Sequence, residues 1–333
     1  MNSRLRSSAQ AGAALLTAMI IVTLIASLAA GMVWQQYRAV QIEAADRARA
    51  QSAWILQGAL DWARLILRED AQANRQKPVD HLGEPWAVPL AEARLSTFLA
   101  ADRAAASTDD GPEAFLSGTI EDAQSRYNLR ALVAGTEVPP LEQRVLERLC
   151  SQVNAPPGTS TLIINGLRGA FPAPASGASG PASGADNGTG VSESGSLQPA
   201  SLDQLTWFGL DAATLARLQP YVVLLPKPTP VNLNTAPREV IAALFDGVDL
   251  ASAERIVQGR KSQPLQKIDD VLAFLPAAAQ GAAGRASVKS DFFIVTGRLR
   301  LEERQLEQRS LIERRDMNMV VQARERVSQL LDR

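Results

Sequence analysis

From Ala13 to Trp34 the chain reads AALLTAMIIVTLIASLAAGMVW, 22 residues without a charge. Wound as a helix at about 1.5 Å per residue, the run covers about 33 Å, enough to cross a hydrocarbon core of about 30 Å. Arg4 and Arg6 precede it, and no acid occurs before Glu43. The charges that follow, Arg38, Glu43, Asp46, Arg47 and Arg49, are of mixed sign. The bias of basic residues toward the inner side puts the N-terminus in the cytoplasm and sends the bulk across. A cleaved secretory signal is the competing reading, with Ser27-Leu28-Ala29 imitating a cleavage site. The apolar region of such signals is normally shorter, about 7–15 residues.

The helix is expected to outlast the membrane. Gln35 to Glu69 contains no Pro and is rich in Ala, Gln, Arg and Glu. Ile55, Ala59, Trp62 and Ile66 recur at helical spacing and predict an apolar stripe that needs a sheet to cover it. A continuous helix from Ala13 to Glu69 would be about 85 Å long, with Gly31 and Gly58 as candidate bends.

The rest of the chain changes character several times. After Asp70 it reads as a loop punctuated by Pro78, Gly83, Pro85 and Pro89, and it holds the only His, His81. Phe115–Glu121 predicts a strand, and Pro139–Val153 predicts a helix in which Cys150 is a small apolar residue. Of the 25 residues from Pro172 to Ser196, 22 are Pro, Ala, Ser, Gly, Thr or Asn. Such a composition predicts disorder. Short helices are expected at Leu202–Trp207 and Ala212–Leu218, with further helices in VNLNTAPREVIAALF and DLASAERIVQGRKSQPLQKIDDVLAFL. From Asp291 on, Phe293, Val295, Leu299, Leu301, Leu306 and Leu311 alternate with polar residues, the mark of antiparallel strands with one buried face.

Composition closes several routes. The 34 basic and 35 acidic residues nearly cancel, one Cys excludes a disulfide framework, and one His excludes a polyhistidine metal site. HExxH, GxSxG and P-loop patterns are absent. Asp109 and Asp110 form an acidic pair expected in solvent. The residues favour a non-enzymatic role.

Gly12 ends a short polar leader and abuts the apolar run with no spacer, as in type IV pilins and pseudopilins, whose peptidase cuts after that Gly. The chain as a whole resembles the minor pseudopilin K family of bacterial type II secretion. Four segments carry the likeness: AGAALLTAMIIVTLIA, VDHLGEPWA (Val79–Ala87), GTIEDAQSRYNLRALV (Gly118–Val133) and PVNLNTAPREVIAALF (Pro230–Phe245). The resemblance implies cleavage between Gly12 and Ala13 and N-methylation of Ala13. Pilins usually carry Glu at the fifth mature position, where it neutralises a neighbour's N-terminal amine; Thr17 stands there, as suits a subunit with no neighbour above it. The implied fold is α+β, a long helix on an antiparallel sheet with a large helical domain inserted between strands. The expected layout is leader 1–12, stem 13–34 and 35–69, body 70–124, insert 125–288 with a helix-hairpin-helix-like part at 230–275, and closing strands 289–333. Implied partners are minor pseudopilins of the I, J and H types, the major pseudopilin, the prepilin peptidase and the inner membrane.

Two implications stay open. Relatives bind calcium through acids in the insert, but the Pro/Ala/Ser/Gly tract here supplies only Asp186 and Glu193, so no cofactor is required and no ligands are assigned. The segment around Phe245-Asp246-Gly247-Val248-Asp249 also looks like a DNA-binding hairpin followed by Arg255, Arg260 and Lys261, which are equally usual on a solvated helix face and are expected there. That would make the alternative a membrane-anchored DNA-uptake protein. Asp246 and Asp249 would repel the phosphate such a hairpin holds on its N–H groups, so nucleic acid is not expected as a partner.

Overall fold

The apolar run is built as helix α1, Ser8–Ala73, which passes unbroken through both Gly31 and Gly58. The computed structural model describes residues 8–95, 114–171, 197–272, 275, 284–301 and 304–330. Asp109, Asp110, Asp186, Glu193 and the 172–196 tract lie outside the described residues. The chain divides into two units, 1–58 and 59–333.

In the first unit, every residue from Ala13 to Ala44 is exposed. Thr17, Thr23 and Ser27, the polar side chains of the apolar run, each donate to carbonyls one turn back: Thr17 to Ala13 and Ala14, Thr23 to Met19 and Ile20, Ser27 to Thr23 and Leu24. No hydroxyl is left without an acceptor, which is what a hydrocarbon environment demands. Among the described residues, α1 is the one helix long and apolar enough to cross a membrane.

The second unit opens with the last turns of α1. Its buried face is Leu60, Ala63 and Leu67, one residue on from the expected stripe, while Trp62 stays 41% exposed. Both sets have the same spacing, so periodicity alone cannot choose between them; the small Ala63 lets the helix approach where an indole would hold it off. This face packs on Phe293, Val295, Ile312 and Met319 of a five-stranded antiparallel sheet.

The strands are β1 (Leu90–Arg94), β2 (Ala114–Asp122), β7 (Phe292–Leu301), β8 (Arg304–Arg315) and β9 (Asn318–Leu330), adjacent in that order. β1 falls where the sequence predicted only loop, in LAEAR just beyond Pro89. In the register of β2 and β7, Gly118 faces Gly297. A Cβ on Gly118 would sit 2.9 Å from the Thr296 carbonyl oxygen, so the rung needs glycine. The alternation of β7 serves two partners. Phe293 meets the stem and stacks edge-on against Trp86 at 5.3 Å, whereas Phe292 packs with Ala123, Val223 and Leu225.

Between β2 and β7 lies a helical domain: α2 (Pro140–Gln152), α3 (Thr159–Ala170), α4 (Ala212–Leu218), α5 (Arg238–Leu244), α6 (Leu250–Ser262) and α7 (Asp269–Leu272). Two-residue parallel pairs, β3 (Tyr127–Asn128) with β4 (Val222–Val223) and β5 (Val231–Asn232) with β6 (Ala286–Ser287), stitch it together. α3 was not expected. Its Gly166 lies directly under the Phe208 ring, 2.2 Å from where a Cβ would stand, so the Gly that weakens the helical signal is the one packing requires. The domain has its own core, including Leu149, Ile163, Leu167, Ile241 and Phe245.

Candidate functional site

Gly12 and Ala13 lie within α1, as does Thr17, whose hydroxyl is taken up by its own helix. These residues are local features of one helix. The side chains that the fold gathers from distant places form a buried polar junction in the second unit.

Asp122, at the end of β2, is its hub. One carboxylate oxygen accepts the Gln124 N–H at 2.7 Å, capping a short turn. The other accepts from Asn232 Nδ2 (2.9 Å), Thr235 Oγ1 (2.5 Å) and Ser290 Oγ (2.6 Å). Burial pushes the Asp122 pKa up to about 6, against the pull of the Ser290 and Thr235 hydroxyls. Gln124 donates to the Pro230 carbonyl and accepts the Asp291 N–H, tying the middle of the insert and its return to β7 to the end of β2.

The second centre is Arg314 on β8. Its Nη2 donates to both Asp80 oxygens (2.6 and 2.5 Å) and to the Ser290 carbonyl, and its Nη1 to Asp70 at 3.1 Å. Three acids, Asp70, Asp80 and Glu84, crowd here around one guanidinium. Burial first, then the charges of Glu84 and Asp80, raise the Asp70 pKa to about 7. Glu84 in turn accepts from Asn74 Nδ2 (2.7 Å), the His81 N–H (2.9 Å) and Trp86 Nε1 (2.7 Å). Asn232 closes the network by donating to the Asp80 carbonyl at 3.1 Å.

Asp80, Glu84 and Trp86, then Asp122 and Gln124, then Asn232 and Thr235 belong to three separate segments, VDHLGEPWA, GTIEDAQSRYNLRALV and PVNLNTAPREVIAALF. The structure brings these three segments into one bonded cluster. Sequence reasoning quoted them without assigning a role to any of these residues, and it gave none to Asp70, Ser290 or Arg314.

The acid trio does not fit a calcium ion. Such an ion takes about six to eight oxygens, whereas these carboxylates already accept from guanidinium, amide, indole and backbone donors. Arg314 is the cation of the site. No other trio of acids, His or Cys gathers among the described residues.

The hairpin residues are also engaged internally. Asp246 pairs with Arg148 at 2.6 Å and Arg144 at 3.5 Å from α2, and Arg148 donates to the Phe245 carbonyl. Asp249 caps α6 by accepting the Ser252 N–H at 2.8 Å. Arg260, expected on a solvated face, is instead buried and donates to the Leu233 carbonyl, because α6 turns that side inward. Burial lowers its pKa to about 10. His81 Nδ1 accepts the Gly83 N–H at 3.1 Å and serves its loop. Cys150 is buried, and burial raises its thiol to about 11.

Comparison with known proteins points one way. Models described as type II secretion system protein K match residues 125–227 and 231–289. The type II secretion system protein K of Pseudomonas aeruginosa is 30% identical over 272 residues, 78% of this chain and 75% of that protein. That of Dickeya chrysanthemi is 26% identical over 95% of this chain and 97% of its own. A chain in the crystal structure of the GspK–GspI–GspJ complex from enterotoxigenic Escherichia coli superposes with a TM-score of 0.64 at 21% identity. It covers 85% of this chain and 98% of that one. This last likeness establishes the shared fold.

Proposed function

We propose a role for this chain on the ground that it belongs to the type II secretion system protein K family: it is the membrane-anchored minor pseudopilin that forms the tip of the periplasmic pseudopilus and initiates its assembly. The N-terminus faces the cytoplasm and the second unit the periplasm. The prepilin peptidase cuts between Gly12 and Ala13, Ala13 is N-methylated, and the freed helix joins the filament core. Pseudopilins of the I, J and H types dock beside it, in keeping with the GspK–GspI–GspJ complex of the structural relative, and the major pseudopilin extends the filament below. The role requires no cofactor and no catalytic step, and it is compatible with calcium in the insert, as the family resemblance implies.

The observation that carries this reading is the junction. It fixes the insert to the sheet through Asp122, Asn232, Ser290 and Arg314, so the bulky domain cannot swing aside for another subunit stacked above. A locked head suits a filament end and not a repeating body. Thr17 agrees with this. Its hydroxyl stays within its own helix and offers no carboxylate to a neighbour's amine, whose charge would be costly in a low dielectric.

The decisive experiment replaces Gly12 with Val in the full chain. The expected result is an uncut precursor in the inner membrane, loss of co-purification with I- and J-type pseudopilins, and loss of secretion. Normal secretion with an uncut precursor would sink the mechanism. Thr17→Glu tests the tip assignment separately: assembly indifferent to that change removes the charge argument.

A further inference from the structure

Where the helical domain faces the free side of the sheet, a cavity of about 720 Å³ opens, lined by Arg130 and Phe171 from the domain and Leu311 and Gln322 from β8 and β9, with Thr136 and Gln198 alongside. Its size lies within the range of about 300–1,000 Å³ typical of ligand sites. The Arg130 guanidinium lies over the Phe171 ring, 3.8 Å from its centroid. Its Nε and Nη1 are buried and have no hydrogen-bond partner among the described residues. Buried polar groups nearly always have partners, and a guanidinium carries donors that only an acceptor can satisfy.

No described Asp or Glu lines the cavity. Glu313, to which Gln322 donates at 2.5 Å, is already bonded by Lys227 and Arg315. Among the described residues, then, no acid compensates the Arg130 charge at this cavity, where apolar Phe171 and Leu311 stand beside polar Thr136, Gln198 and Gln322. The chemistry that completes it is a carboxylate flanked by apolar groups, since guanidinium and carboxylate form the stronger, charge-assisted bonds. Arg130 belongs to GTIEDAQSRYNLRALV, yet it takes no part in the junction.

We propose that this cavity receives a Glu or Asp side chain on an extended segment of a partner protein. Arg130 turns its unpaired donors onto the carboxylate, and Phe171 and Leu311 hold the flanking apolar residues. The site is separate from the stem contacts that join pseudopilins, and its failure would leave the tip reading intact, because Gly12 processing and filament docking do not use Arg130.

The test uses the full chain in detergent micelles and two labelled peptides with blocked termini, Gly-Leu-Glu-Leu-Gly and its Gln counterpart, followed by fluorescence anisotropy. The Glu peptide is expected to bind about tenfold or more tightly than the Gln peptide. Arg130→Gln is expected to erase that difference and Arg130→Lys to keep part of it. Should Arg130→Gln fail to fold, phenylglyoxal modification of Arg130 in the unaltered protein, read by mass spectrometry, gives the same answer. Protection by the Glu peptide and not by the Gln peptide supports the site. Equal affinities, a preference that survives Arg130→Gln, or no saturable binding of either peptide overturns it. A preference that emerges only after deleting residues 172–196 also overturns it, since Asp186 or Glu193 of the same chain would then be the occupant.

Discussion

The apolar half of the stem and the buried junction face the same difficulty, polar groups held away from water, and they solve it in opposite ways. In the stem, Thr17, Thr23 and Ser27 bond carbonyls within one turn of their own helix, so each hydroxyl is independent of everything beyond that turn. In the junction, Arg314 and Asp70 are 244 residues apart in sequence, and removing any one member strands the others. A local solution makes the stem a transferable part. A distributed one makes the body and the insert stand or fall together.

The most severe way to break this contrast is Arg314→Met. It leaves Asp70 and Asp80 buried without their cation, and the expected loss is about 3–5 kcal/mol, read by urea denaturation of the full chain in micelles. A loss under about 1 kcal/mol would mean the junction does not bind the two parts together. Asp122→Asn is the next step down. The new amide turns donors toward the Thr235 and Ser290 hydroxyls and the Asn232 amide, at an expected cost of about 1–3 kcal/mol.

Acidity separates the regions as well. Asp70 and Asp122 hold their protons up to about pH 7 and 6 in the fold, against an ordinary 3.8. Between about pH 4 and 7 the folded state thus binds more protons than the unfolded chain, and stability falls as pH rises through that window. Asp70→Asn is expected to flatten that fall in the urea midpoint, with the part due to Asp122 remaining. An unchanged slope would show Asp70 to be ordinarily acidic. At the small end, Thr23→Val removes a hydroxyl together with its own bond, so the unfolding free energy should change by less than about 0.5 kcal/mol. At the one acid trio among the described residues Arg314 already supplies the positive charge, so chelator is expected to leave the Arg314-dependent part of the stability unmoved; a chelator effect that vanishes in Arg314→Met would place a metal at the junction.

The same division governs what could be read in advance. The stem, strand β2, helix α2 and the closing strands carry their periodicity within a dozen residues and stand close to where the sequence predicted them. The buried face of α1 was misplaced by one residue because Ile55, Ala59, Trp62 and Ile66 repeat with the same period as Leu60, Ala63 and Leu67. Strand β1 hid behind Pro89, and α3 behind the Thr and Gly residues of TSTLIINGLRGA. The junction was not legible at all. Nothing near Asp80 or Asp122 in sequence announces that Arg314 or Asn232 will reach it, and a lone Asp in a loop or at a strand end reads as solvated. Only the co-occurrence of three segments hinted at it, and spacing alone gave them no chemistry. Arg260 shows the converse error, a basic residue on a helix assigned to water that packing turned inward.

One feature of the sheet reaches beyond this molecule. Asp122 and Phe293 sit opposite each other in the β2–β7 ladder, so everything from Ala123 to Asp291 leaves and returns at a single rung. To the pilin scaffold, the whole helical domain is topologically no more than an enlarged hairpin turn. Closing such an excursion costs entropy that grows only with the logarithm of its length. Insertions of very different size are therefore tolerable at that rung, provided a few polar side chains anchor their feet. New heads could be fitted there by design.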